Sequence, residues 1–221
     1  LELHAVSDVS IAAGSPGGSI DLTADYPGNA TIFAGEDVTI AGEMVGNAAD
    51  RSADGASFTI HAGGNVSVTG VVRASSGYEG TGGSLTSTSA GSATFSGVFD
   101  LSGGDFDGGE LSISAVGPVS LSGTVNVNAG AGGSGGTVGI ASQSSVALGG
   151  TVTGAGSNWD GWAGDGGTLD VLADGAILVG GDVTMKSAEP DGTGGSIAFD
   201  TAGPFAQTGT LRASGNGGQS S

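Results

Sequence analysis

A glycine standing two residues before an apolar residue recurs eight times along this chain at nearly constant intervals. The pairs are Gly18 and Ile20, Gly42 and Met44, Gly70 and Val72, Gly97 and Phe99, Gly123 and Val125, Gly150 and Val152, Gly181 and Val183, and Gly209 and Leu211. In seven of the eight units another apolar residue stands six positions before the second member, at Val38, Val66, Ala93, Val119, Val146, Ile177 and Phe205. Eight residues earlier again stand Ala30, Phe58, Leu85, Leu111, Val138, Leu169 and Ile197. The first unit repeats the eight-residue step from Leu1 to Val9 and then reaches Ile20 after an insertion around 15–17. Successive units are offset by 26 to 31 residues, a period that belongs to solenoids.

Within a unit the apolar residues alternate with polar ones, as in Leu111 and Ile113, Val119 and Leu121, and Val125 and Val127. Ser112, Ser120 and Asn126 stand between them, the alternation of short strands with one face inward. No segment has helical spacing. A single unit cannot bury its apolar face alone, whereas units stacked in register bury a continuous column. The expected fold is therefore an all-β, right-handed parallel β-helix with three short strands per coil, the hand following from the crossover rule. About eight coils at about 4.8 Å each make a rod on the order of 40 Å long. The recurrent glycine marks a corner that needs either a positive φ or a closer approach between coils than a Cβ allows.

The 48 glycines among 221 residues are also compatible with disorder, and the constant register of the apolar residues argues against it. With 22 acidic and 4 basic residues the net charge is -18, which disfavours nucleic acid and anionic membrane surfaces as partners. No cysteine is present, so disulfides and thiolate chemistry are excluded. No apolar run is long enough for a membrane span. The chain opens inside a strand and stops at the glycine-rich 217–221, where another first strand is due. Residues 1–221 are thus expected to be one β-helix segment of a longer array, with open strand edges that offer end-to-end self-association.

The connection from each third strand to the next first strand varies in length, short at 23–29 and long at 155–168. It holds every tyrosine and tryptophan, Tyr26, Tyr78, Trp159 and Trp162, with Phe106, and half of the 22 acidic residues. Tyr78, Phe106, Trp159 and Trp162 are the candidate ligand-binding residues, since aromatic faces stack on sugar rings. Asp105, Asp107 and Glu110, together with Asp160 and Asp165, are the candidate acids for calcium, which takes six to eight oxygen ligands. The fold needs no cofactor, and calcium is the one candidate. Paired carboxylates also admit glycoside hydrolysis, but the four cations Arg51, Arg73, Lys186 and Arg212 are scattered and do not form a substrate clamp. His4 and His61 follow first strands two coils apart and read as surface residues.

Two stretches, SGTVNVNAGAGGSGGTVGIAS at 122–142 and TGTLRASGNGG at 208–218, resemble the coils of filamentous-haemagglutinin-like bacterial exoproteins. That resemblance implies a secreted or surface-attached bacterial adhesin or fibre, located outside the cell. A rigid solenoid would there display acidic and aromatic loops for weak, multivalent contact with surface carbohydrate or protein. The alternative is a carbohydrate-active β-helix enzyme, a polysaccharide lyase or glycoside hydrolase.

Overall fold

A computed structural model describes residues 1–13, 18–160 and 162–215. The insertion at 15–17 and the glycine-rich 217–221 lie outside the described residues. Every regular element described is a β-strand, so no helix among these residues is long and apolar enough to cross a membrane. The strands form three parallel ribbons, each eight strands deep, and successive coils contribute one strand to each. One coil illustrates the path: a six-residue strand Glu110–Ala115, a three-residue strand Val119–Leu121, then Thr124–Asn126 after the Ser122-Gly123 corner. This is the expected parallel β-helix.

The register is the one the apolar spacing demands. Val38 pairs with Val66, Val66 with Ala93, Ala93 with Val119, and Val119 with Val146, so these side chains stand directly over one another. All are at most 1% exposed. Leu85 lies over Phe58 and under Leu111 in the first ribbon, and Phe99 over Val72 and under Val125 in the third. Each such side chain withdrawn from water contributes about 1.5–3 kcal/mol. The stacked column of apolar side chains is therefore what holds the coils together. Phe205 pairs with Ile177 as expected but stays 46% exposed, because no described coil covers it.

The recurrent glycine answers to close approach and not to backbone sign. Among the described residues only one glycine, Gly132, has a positive φ, at 82°. A Cβ built on Gly42, Gly70, Gly97, Gly123, Gly150, Gly181 or Gly209 would fall 1.8–2.1 Å from the carbonyl oxygen of the corresponding glycine one coil earlier. That carbonyl points up the stack to accept the next coil's N–H, for example Thr124 N to Gly97 O at 3.0 Å. The space a side chain would need is filled by the hydrogen bond that joins the coils.

Polar corners are laddered in the same way. Ahead of the second ribbon, Asp8 accepts from Asp37 N (3.0 Å), Asp37 from Asn65 N (2.6 Å), and Asn65 from Ser92 N (2.9 Å). A carboxylate or amide oxygen thereby satisfies a backbone donor that the turn leaves outside the sheets. One inward position breaks the pattern. Ser87 lies between Ile60 and Ile113 in the first ribbon, is 1% exposed, and its Oγ has no hydrogen-bond partner among the described residues.

Candidate functional site

The connections after the third ribbon stack on one another and build a side wall. Asp105 N donates to Tyr78 O, Gly130 N to Phe106 O at 3.2 Å, and Ser157 N to Gly133 O at 3.0 Å. This holds four successive loops together. The long loop contains an element not expected from the sequence, a two-stranded antiparallel hairpin of Asn158–Trp159 with Trp162–Ala163. Its signal was present in the Asp160-Gly161 pair between short segments, the composition that hairpin turns favour. Asp160 has φ 49°, a left-handed conformation that Asp tolerates better than most residues. Gly164 N closes onto Ser157 O at 2.8 Å, and Asn158 Nδ2 donates to Glu189 O of the next coil, which tethers the hairpin at both sides.

The hairpin turns its two tryptophans toward the loop below and makes a groove of about 510 Å³. Phe106, Trp159 and Trp162 line it together with Glu79, Asp105 and Asp160. The aromatic side chains remain accessible, Trp162 at 81% and Phe106 at 55%. Asp105 differs from its neighbours in being 5% exposed, and its Oδ2 has no hydrogen-bond partner among the described residues. Glu79, which the sequence did not single out, is held by Arg51 at 2.9 Å. Tyr78 is not in the groove lining. Its ring carries the Arg51 guanidinium, 4.8 Å from the ring centre.

The candidate calcium acids separate into two sets. Asp105 and Asp160 border the groove, whereas Asp107 and Asp165 belong to a ladder at the glycine pairs. The residue four positions before each inward first-strand residue from Phe58 to Ile197 alternates through Asp54, Thr81, Asp107, Ser134, Asp165 and Thr193. Each Asp accepts the backbone N–H of the Thr or Ser one coil later, at 2.8, 2.8 and 2.7 Å. Glu110 lies at the exposed start of a first-ribbon strand and shares a separate groove of about 380 Å³ with Asp107. Among the described residues no three His, Cys, Asp or Glu side chains come together as a metal-ligand set.

Two acids outside the groove titrate low. Asp50 is held below the usual carboxylate range by the Ser52 backbone N–H, then by the Ser52 hydroxyl, with Tyr26 adding a little. Asp21 is lowered in the same way by Thr23, first by its backbone N–H and then by its side chain. Both are turn acids with local donors. The histidines lie within the first-ribbon strands Glu2–Ala5 and Ser57–Ala62, not after them, with Phe33 between. The rings stack at 4.6 and 4.9 Å between centres. Alternation with the inward Ile32 and Ala34 is the signal that puts Phe33 outward.

No family model, curated protein or solved structure matches this chain.

Proposed function

We propose that this chain is a structural and adhesive stretch of an extracellular bacterial surface protein or fibre, which binds carbohydrate through the groove between Phe106 and the tryptophan hairpin. The observation that carries the reading is the convergence of Phe106, Trp159 and Trp162 on one groove, bordered by Glu79, Asp105 and Asp160. Apolar ring faces that pack against a sugar and acceptors that take its hydroxyl protons make a sugar subsite of ordinary chemistry. The likeness of the coils at 122–142 and 208–218 to filamentous-haemagglutinin-like exoproteins supports the surface location. The rod contributes geometry: a stiff stack fixes the loops, and weak single contacts multiply when several copies meet one surface.

This reading does not depend on calcium; Asp107 and Asp165 each give one carboxylate oxygen to the coil ladder. Exhaustive treatment with a chelator should leave binding and melting temperature unchanged. The direct test is a glycan array followed by calorimetry on the hits, with Trp159→Ala and Trp162→Ala compared with the unaltered chain. Binding that both variants lose, without shortening of the polymer, supports the adhesive reading. Shortened polymer chains would replace it with the carbohydrate-active enzyme.

A further inference from the structure

The walls of the groove specify more than a sugar, on the footing that the carbohydrate reading above holds. Asp105 is 5% exposed, and among the described residues its Oδ2 has no partner, so its carboxylate is withdrawn from water with no donor on that oxygen. A buried carboxylate in that state is costly, and a positive charge brought beside it offsets the cost. Among the described residues no Lys, Arg or His lines the groove. Arg51 is committed to Glu79, and among the described residues neither Asp105 nor Asp160 has an ion-pair partner. The other walls are the aromatic side chains of Phe106, Trp159 and Trp162, whose ring faces attract cations through the ring quadrupole. The protein builds the same combination with its own side chains one step away, where Arg51 sits over the Tyr78 ring and against Glu79.

We infer that the groove binds a sugar bearing a protonated primary amine, an unacetylated amino sugar within an oligosaccharide. The pyranose ring lies against a tryptophan face, and the ammonium group sits among the aromatic rings beside Asp105 and Asp160. A neutral sugar leaves the Asp105 charge uncompensated, and an acidic sugar is repelled by it and by a chain of net charge -18.

The test is calorimetric titration in physiological salt with four probes: the tetramers of glucosamine, N-acetylglucosamine and glucose, and tetralysine. The glucosamine tetramer should bind about tenfold more tightly than either neutral sugar, the scale of a desolvated cation on aromatic rings. Asp105→Asn and Asp160→Asn should each remove most of that advantage, and Trp162→Ala should weaken all the sugars. Asp170→Asn removes one charge from an exposed first-ribbon position and should change nothing. Equal affinity for the three sugars overturns the amine assignment and leaves carbohydrate binding standing. No sugar binding that depends on Trp162 overturns both. Tetralysine binding as tightly as the glucosamine tetramer overturns the assignment to a sugar, and an Asp170→Asn loss equal to that of Asp105→Asn reduces the effect to bulk charge. A melting temperature for Asp105→Asn at or above that of the unaltered chain confirms that the variant is folded.

Discussion

Gly123→Ala and Gly139→Ala are the same chemical change, one methyl group, and the structure assigns them opposite signs. A Cβ at position 123 falls 2.1 Å from Gly97 O, well inside the 3.4 Å at which ordinary contact begins. The obstacle is backbone held by flanking strands, so it cannot rotate away as a side chain would. Relief requires the coil to lift at that corner. The lift loosens three hydrogen bonds: Ser122 N and Gly123 N to Phe95 O, at 2.9 and 3.1 Å, and Thr124 N to Gly97 O at 3.0 Å. At about 1 kcal/mol for each, the loss is about 3 kcal/mol. At position 139, in the strand Thr137–Ser142, none of the described residues lies within 4 Å of an added Cβ, and removing glycine's freedom in the unfolded chain stabilises by about 0.4–1 kcal/mol. Urea unfolding followed by far-ultraviolet circular dichroism measures both. For a chain of this size the Gly123→Ala loss corresponds to a melting temperature lower by roughly 6–12 °C. A Gly123→Ala variant within about 0.5 kcal/mol of the parent, the range of bland surface changes, would refute the close-stacking account of the recurrent glycine. So would a Gly139→Ala variant that loses as much.

Other consequences of the structure can be measured in the same assays. Ser87→Ala removes a buried hydroxyl without a partner and should stabilise the chain by about 1 kcal/mol; a loss of stability would mean that the hydroxyl is hydrogen-bonded after all. Asp107→Ala takes away the acceptor for Ser134 N at an exposed corner and should cost about 0.5–1.5 kcal/mol, with faster amide exchange at Ser134 as the local signature. For Asp50, carbon-detected titration of the carboxyl should give a midpoint below 3.8, moving toward 3.8 in Ser52→Ala; a midpoint at or above 3.8 in the parent contradicts the turn geometry. Because the folded-state value is the lower one, its contribution to stability is present above the unfolded-state value and is lost as pH falls through the folded one.

The chain's own residues determine the fold to an unusual degree, because a solenoid repeats one local decision. Val38, Val66, Val119 and Val146 are inward in the sequence pattern, and they are stacked in the structure for the same reason. Alternation sets the face, and constant spacing sets the register. The Asp54, Thr81, Asp107, Ser134, Asp165, Thr193 alternation is equally visible once the first strands are aligned, although its meaning as a hydrogen-bonded ladder is not. Tertiary structure alone decided between the two explanations of the corner glycine, since both predict glycine and only the distance to the coil below distinguishes them. It also decided the groove. Glu79, Asp105, Phe106, Asp160 and the two tryptophans come from three connections of unequal length, and no period relates them. Core positions are set by contacts that recur every coil. The side wall depends on how each loop closes once, with its own hairpin, tether and buried carboxylate, and that information is carried by the packing of one loop on the next.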